Sequence, residues 1–187
     1  MSLALSIVCW FVGSCMAMSF IEYGIHRYLM HKRILPRLLY RFVPGLRTVF
    51  TNHNVLHHGR YYKVFNHEDD PDGRKISIRL DLWIGIVGGA LVGLALYPLS
   101  VVAGPVFFSV ILLHHLAWNL IHEEMHNPRP RWFARLPFFR FLQRYHWLHH
   151  KYPGKNYNVI FPGADFVFRK HAKCTPEDRA QMQAIGL

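Results

Sequence analysis

Two long stretches of the sequence contain no Asp, Glu, Lys or Arg, and they constrain the fold more than any other feature. The first covers residues 1–21 and ends at Glu22, and the second covers residues 82–122, between Asp81 and Glu123. At about 1.5 Å of rise per helical residue these stretches are about 30 and 60 Å long, enough for one and for two crossings of a bilayer. We therefore predict an all-α, integral membrane, multi-pass fold with about three transmembrane helices, at residues 3–22, 81–97 and 101–121.

The first charge-free stretch is close in length to a full membrane span and has no basic residues before it. A cleaved signal peptide normally has a basic n-region and a shorter apolar core. We therefore expect a transmembrane helix here.

The basic residues predict the topology independently. All 22 Lys and Arg lie between Arg27 and Arg79 or from Arg129 onward. Cytoplasmic loops carry the excess of positive charge in membrane proteins, so both basic segments should be cytoplasmic and the N-terminus outside. The 187 residues then form a single domain whose helical cytoplasmic cap comprises residues 23–80 and 122–175. The net charge of +11 favours anionic lipid head groups over nucleic acid as its counterpart.

Ten of the fourteen histidines fall into four short clusters. Neutral imidazole is the commonest metal-ligating side chain, and ten imidazoles exceed what one ion can use. The sequence therefore predicts a dinuclear metal site in the cap, on the cytoplasmic side. Its predicted ligands are His26, His31, His53, His57, His58, His122, His126, His146, His149 and His150.

Helical geometry suggests how these ligands divide between two ions. Histidines four apart differ by only about 40° around a helix, so His53 with His57, His122 with His126, and His146 with His150 can each share an ion. Adjacent histidines point about 100° apart, so the His57-His58 and His149-His150 doublets can each serve both ions. His26 and His31 are five apart and need a helix end, a distortion or two separate ions.

Further polar residues are candidates to orient the ligands. On the third predicted span, His115, Asn119, His122 and His126 share one face, which we expect to line a cavity leading to the metals. His115, Asn119, Glu22 and Glu123 are accordingly candidate partners of the ligating imidazoles. For His67, His114 and His171 we expect ordinary roles.

Nitrogen ligands suit iron and oxygen activation, but zinc accepts the same ligands. Zinc is redox-inert and would restrict the site to hydrolysis, which requires a carboxylate base such as Glu22, Glu123 or Glu124. A zinc-loaded form is also possible in a purified protein.

Three sequence blocks resemble the fatty acid hydroxylase and sterol desaturase superfamily of integral membrane di-iron enzymes. They are EYGIHRYLMH at 22–31, HNVLHH at 53–58 and HWLHHKYPGKNYNVIFPGADFVF at 146–168. The third block is the most specific, because the family follows its H-x-x-H-H with an Asn-Tyr and then a proline and an aspartate, matched here by Asn156-Tyr157, Pro162 and Asp165. Asn156 thereby joins the candidates that support the site. The sequence departs from the family in the second cluster, where three residues separate His53 from His57, and in the third, which lacks a histidine doublet.

The resemblance implies two iron ions, O₂, a membrane lipid substrate and hydroxylation of a lipid C–H bond. No haem-binding or dinucleotide motif is present, so an external electron donor, such as a ferredoxin, a cytochrome or a reductase, is expected. A carotenoid hydroxylase or a lipid desaturase could use the same centre. A metal transporter and a metal-stabilised accessory membrane protein are the alternatives without enzymatic activity.

Overall fold

The structure is a computed structural model that describes residues 2–63, 65, 80–129 and 131–187. Every regular element within these ranges is a helix, which confirms the prediction of an all-α fold. Most of the cap segment 64–79, including His67, lies outside the described residues.

In the part of the chain that the structure describes, two helices are long and apolar enough to cross a membrane. Helix α1 (Leu3–Ile25) starts at Ser2, whose hydroxyl accepts a hydrogen bond from the backbone N–H of Leu5, and continues as a π-helical segment (His26–Met30). Helix α5 (Ala103–His126) has 24 residues and extends beyond its predicted end at residue 121. Helix α4 (Leu82–Leu96) is equally apolar, but its 15 residues fall short of the roughly 20 that span a bilayer at normal tilt. Three spans therefore remain a prediction.

Glycines allow α4 and α5 to pack backbone against backbone. Gly85, Gly89 and Gly93 recur every four residues and are the buried positions of α4. A Cβ placed on Gly104 of α5 would lie only 2.5 Å from the carbonyl oxygen of Gly93. Such close approach is typical of helices that pack in lipid, where small residues replace the hydrophobic effect as the source of tight contact. Helix α1 packs against α5 through Met18, Phe107, Val110 and Ile111.

The cap continues with α2 (Arg37–Phe42), α3 (Pro44–Phe50) and a second π-helical segment (Thr51–Tyr61). Helices α2 and α3 are separated at Val43, the residue before Pro44. Proline disfavours the helical conformation of the residue before it, and Val43 accordingly has φ −118° and ψ 85°. The apolar side chains of Leu38, Leu39 and Phe42 are exposed.

Helix α6 (Pro137–Lys151) follows a 3₁₀ turn (Trp132–Arg135) and packs against α5. A buried apolar cluster that includes Trp118, Met125, Phe139, Leu142 and Leu148 joins the two helices. The short helix α7 (Gly163–Val167) completes the predicted cap segment, and α8 (Pro176–Ala184) follows the predicted end of the cap at residue 175. Helix α8 is fixed to the end of α6 by an ion pair of 2.6 Å between the Lys151 Nζ and a carboxylate oxygen of Asp178.

Candidate metal centre

Both π-helical segments carry histidines five residues apart. In the first, the His31 backbone N–H donates to the His26 carbonyl at 3.1 Å, the i to i+5 hydrogen bond that defines a π-turn. In the second, the same widening separates His53 from His58. The extra residue per turn aligns side chains that a regular α-helix would hold about 140° apart. The distortion that the His26 and His31 spacing required is therefore present, and it recurs in the second cluster.

The first histidine group consists of five imidazoles whose Nε2 atoms form a closed ring. The members of this group, in order around the ring, are His26, His53, His58, His149 and His31. The distances between consecutive Nε2 atoms, starting with His26 to His53 and ending with His31 to His26, are 2.7, 3.2, 3.2, 3.0 and 3.2 Å.

The second histidine group consists of His57, His126, His146 and His150. The Nε2 atom of His146 lies 3.1 Å from that of His126 and 3.2 Å from that of His150, and the Nε2 of His150 lies 3.2 Å from that of His57. His122 borders this group, with its Nε2 3.0 Å from that of His146. All ten histidines predicted from the sequence therefore lie in or beside one of the two groups.

The two groups touch one another. The rings of His58 and His150, one from each group, stack with centroids 4.1 Å apart. As the helical geometry predicted, each adjacent doublet divides between the groups: His57 from His58, and His149 from His150. His53 and His57 were expected to share an ion, but they lie in different groups because the π-turn pairs His53 with His58 instead.

Backbone carbonyls orient several imidazoles from outside. The Nδ1 atoms of His126, His149 and His150 lie 2.9, 2.7 and 3.0 Å from the carbonyl oxygens of Phe65, Lys155 and Tyr62. His26 makes the equivalent contact with Tyr157. Since a carbonyl oxygen can only accept, each Nδ1 carries the proton, and the Nε2 lone pair of the neutral ring faces into the group.

Such an arrangement of nitrogens suits a cation better than hydrogen bonding. A single N–H at His146 could serve only one of its three Nε2 neighbours, which leaves lone pairs opposed at about 3 Å. Metal–nitrogen bonds of about 2.0–2.1 Å at right angles would separate neighbouring nitrogens by about 3 Å. The residues of both groups therefore fit a metal ion, and among the described residues neither group includes a carboxylate or a thiolate.

Burial keeps the imidazoles neutral. Desolvation, reinforced by repulsion from His149, lowers the pKa of His31 to about 2. Desolvation also lowers the pKa of His149 to about 4, although its hydrogen bond to the Lys155 carbonyl opposes the effect. In His53, His57, His58, His146 and His150, desolvation and then neighbouring histidines hold the pKa well below 6.5. At neutral pH these lone pairs are available to a metal.

Glu22 supports the site through a loop. Its carboxylate accepts a hydrogen bond of 2.6 Å from the Val159 backbone N–H and one of 3.3 Å from the Asn158 side chain, and it lies 3.3 Å from the Nε2 of His114. The same loop presents the Tyr157 carbonyl to His26. Glu22 thus connects α1 to a segment that orients a histidine.

Asp165 also binds this loop, and it is not among the site residues that the sequence predicts. Its carboxylate accepts hydrogen bonds from the backbone N–H groups of Tyr157, at 3.0 Å, and Asn158, at 2.7 Å. The position of Asp165 in the Asn-Tyr…Pro…Asp pattern of the third sequence block indicates that it belongs to the site.

Asn156 is a site residue that the sequence predicts. It has φ 55°, and its side-chain amide donates a hydrogen bond of 2.8 Å to the Tyr145 carbonyl, so it stabilises the turn that follows α6.

Glu123 and Glu124 pair with arginines. Arg131 lies 3.4 Å from a Glu123 oxygen and 2.9 Å from a Glu124 oxygen, and Arg129 lies 3.6 Å from Glu123. These ion pairs hold the chain that leaves α5.

The polar face of α5 binds the start of α4. The Asn119 side chain accepts from the Leu80 N–H at 2.7 Å and donates to the Leu80 carbonyl at 2.9 Å, and His115 lies 3.3 Å from the same carbonyl. We expected this part of the stripe to line a cavity. Instead, His115 and Asn119 contact the backbone groups of Leu80, just before α4 begins, while the following turns of α5 carry His122 and His126 to the histidine groups.

Neither a protein-family model nor a curated protein nor a solved structure matches the chain.

Proposed function

We propose that this protein is a membrane di-metal oxygenase that hydroxylates a C–H bond of a lipid, such as a fatty acyl chain. The balanced reaction takes one O₂, two electrons and two protons, and yields the alcohol and water. The electrons come from an external donor. Two iron ions, one in each histidine group, would supply the O₂-activating chemistry.

The observation that carries this proposal is the pair of touching, all-imidazole groups. A hydrolytic zinc site would require a carboxylate base at an open position. Glu22 accepts from the loop at Val159, and Glu123 and Glu124 pair with Arg131, so each of these carboxylates already has a structural role. A redox centre has no such requirement.

The histidine positions also support a catalytic site at one membrane surface. Each of the ten histidines lies after the apolar part of α1, after the apolar part of α5, or in a helix of the cap. With α1 and α5 in the bilayer, the N-terminus outside and α4 completing a third crossing, both groups lie immediately beneath the cytoplasmic surface. A metal transporter would instead place ligands through the depth of the membrane.

An apolar groove of about 200 Å³ offers a binding site for the chain of a lipid substrate. It lies between α5 and the start of α6, and the described residues that line it are all hydrophobic, among them Ala117, Leu120, Ile121, Phe138 and Leu142. Ile121 precedes His122, and Leu142 is one turn before His146 on α6. A lipid chain held there would lie one helical turn from the second histidine group.

The experiment is to purify the chain with iron, reconstitute it in lipid with a reductant and O₂, and measure lipid products by mass spectrometry. We expect a mass gain of one oxygen, and variants H149A and H57A, which each remove a ligand from a different group, should abolish it. His171 is outside both groups, so H171A is the matched control and should retain activity. Loss of two hydrogens would instead identify a desaturase. Tight metal binding without O₂ consumption would contradict the enzymatic proposal and favour an accessory protein.

A further inference from the structure

An open groove of about 680 Å³ lies on the surface of the cap, outside the histidine groups. Tyr152 and Phe166 provide aromatic surface, and the side chains of Lys155, Arg169 and Lys173 provide positive charge. Of the residues that the structure describes, those that line this groove include no Asp or Glu. Its chemistry therefore suits an amphipathic anion.

An exposed apolar edge adjoins the groove. Phe166, Val167 and Phe168, at the end of α7, are 50, 62 and 48% exposed. Three consecutive apolar side chains directly before Arg169 and Lys170 form the pattern of a segment that dips into a bilayer and places basic residues among the head groups.

The level of this edge is set by α1. The Phe168 ring packs edge-on against Phe20, with centroids 5.7 Å apart, and lies 4.9 Å from the ring of Tyr23. Phe20 and Ile21 are on the exposed, lipid-facing side of α1 near the end of its charge-free stretch. Phe168 therefore lies at the depth where the acyl region meets the head groups.

From these contacts we infer that the groove binds the head group of an anionic phospholipid of the surrounding bilayer. The phosphate lies among Arg169, Lys173 and Lys155, and the glycerol and upper acyl chain lie against Phe166. The inference rests on the membrane placement of α1 in the proposed function, but not on the metals. An acidic protein could also meet basic side chains, but the exposed apolar edge at the level of Phe20 favours lipid.

The test is native mass spectrometry of the full-length protein in detergent with equal amounts of phosphatidylglycerol and phosphatidylcholine. We expect preferential retention of phosphatidylglycerol. Replacing both Arg169→Gln and Lys173→Gln should reduce the preference by about fivefold for each charge removed. The matched control, Arg60→Gln with Arg179→Gln, removes two exposed charges elsewhere and should retain the preference.

Equal binding of the two lipids, or an undiminished preference in the groove variant, would overturn the inference. Inorganic phosphate and polyglutamate are added as competitors of phosphatidylglycerol in the same experiment. Displacement of phosphatidylglycerol by inorganic phosphate would show a site for free anions, and displacement by polyglutamate alone would show a surface that binds acidic proteins; either result would overturn the inference. Metal content, measured in the same samples by elemental analysis, separates the two proposals: lipid preference without bound metal would leave this inference intact and contradict the oxygenase.

Discussion

Acidification should open the histidine groups of the metal-free protein. The seven clustered histidines outside α1, its π-helical extension and α5 have a folded-state pKa below the ordinary 6.5, because burial disfavours the charged ring. Above pH 6.5 both the closed and the open form are neutral. Below it the open form takes up protons that the closed form cannot, so stability falls as the pH falls, and continues to fall until the folded-state pKa is reached.

The size of this effect is comparable to the stability of a domain. A histidine that titrates at about 6.5 when open and stays neutral when closed costs about 1.4 kcal/mol between pH 7.5 and 5.5. Seven such residues would cost about 10 kcal/mol, against a typical stability of about 5–15 kcal/mol. Metal bound to the same lone pairs must be displaced before protonation, so a loaded protein should resist acid.

Hydrogen–deuterium exchange, corrected for the intrinsic effect of pH, measures this opening. At pH 5.5 the chelator-treated protein should lose protection over Thr51–Tyr61 and Pro137–Lys151, while zinc-loaded protein keeps it. Helix α4 has no histidine and provides the internal control. Full protection of the metal-free protein at pH 5.5 would refute the argument that these imidazoles are held neutral by burial.

Three further predictions follow from individual contacts. Because the Nε2 of His146 lies within 3.2 Å of three others, His146→Ala should lower bound metal from two ions to about one per chain, whereas His171→Ala should leave it unchanged, as measured by elemental analysis. Gly104→Ala would place a Cβ 2.5 Å from a facing carbonyl and should destabilise the protein by about 1–3 kcal/mol, whereas Gly88→Ala, with open space around it, should be neutral or stabilising by up to about 1 kcal/mol in thermal unfolding. Ala117→Phe should fill the apolar groove and slow product formation from long-chain lipid substrates at least severalfold without loss of metal; undiminished turnover would exclude the groove as the substrate site.

Much of the fold could be predicted from charge and spacing. The charge-free stretches cover all of α4, α1 up to Glu22 and α5 up to Glu123, and they identify these helices because a charge within the apolar part of a membrane is costly. The division of His149 from His150 on α6 follows from the rotation of about 100° per residue in an α-helix. Neither inference needs tertiary information.

What the sequence did not reveal depends on backbone irregularity and on contacts between distant segments. The π-turn at His53 is a change of one residue in a hydrogen-bonding pattern, and no residue type specifies it. The roles of His115 and Asn119 depend on where Leu80 meets α5, and that of Glu22 on a loop about 136 residues further along the chain. Their polar character indicated that His115 and Asn119 interact with other groups, but not that both would bind the backbone of Leu80.

The shared doublets give the two groups a common mechanical frame. His149 and His150 are carried by one rigid helix, and His57 and His58 by one π-turn, so a rotation of either element displaces a ring in both groups at once. Only a movement of α1 or of α5, whose histidines belong to one group each, could change one group alone. Geometric strain in either of the shared elements is therefore transmitted to both halves of the centre.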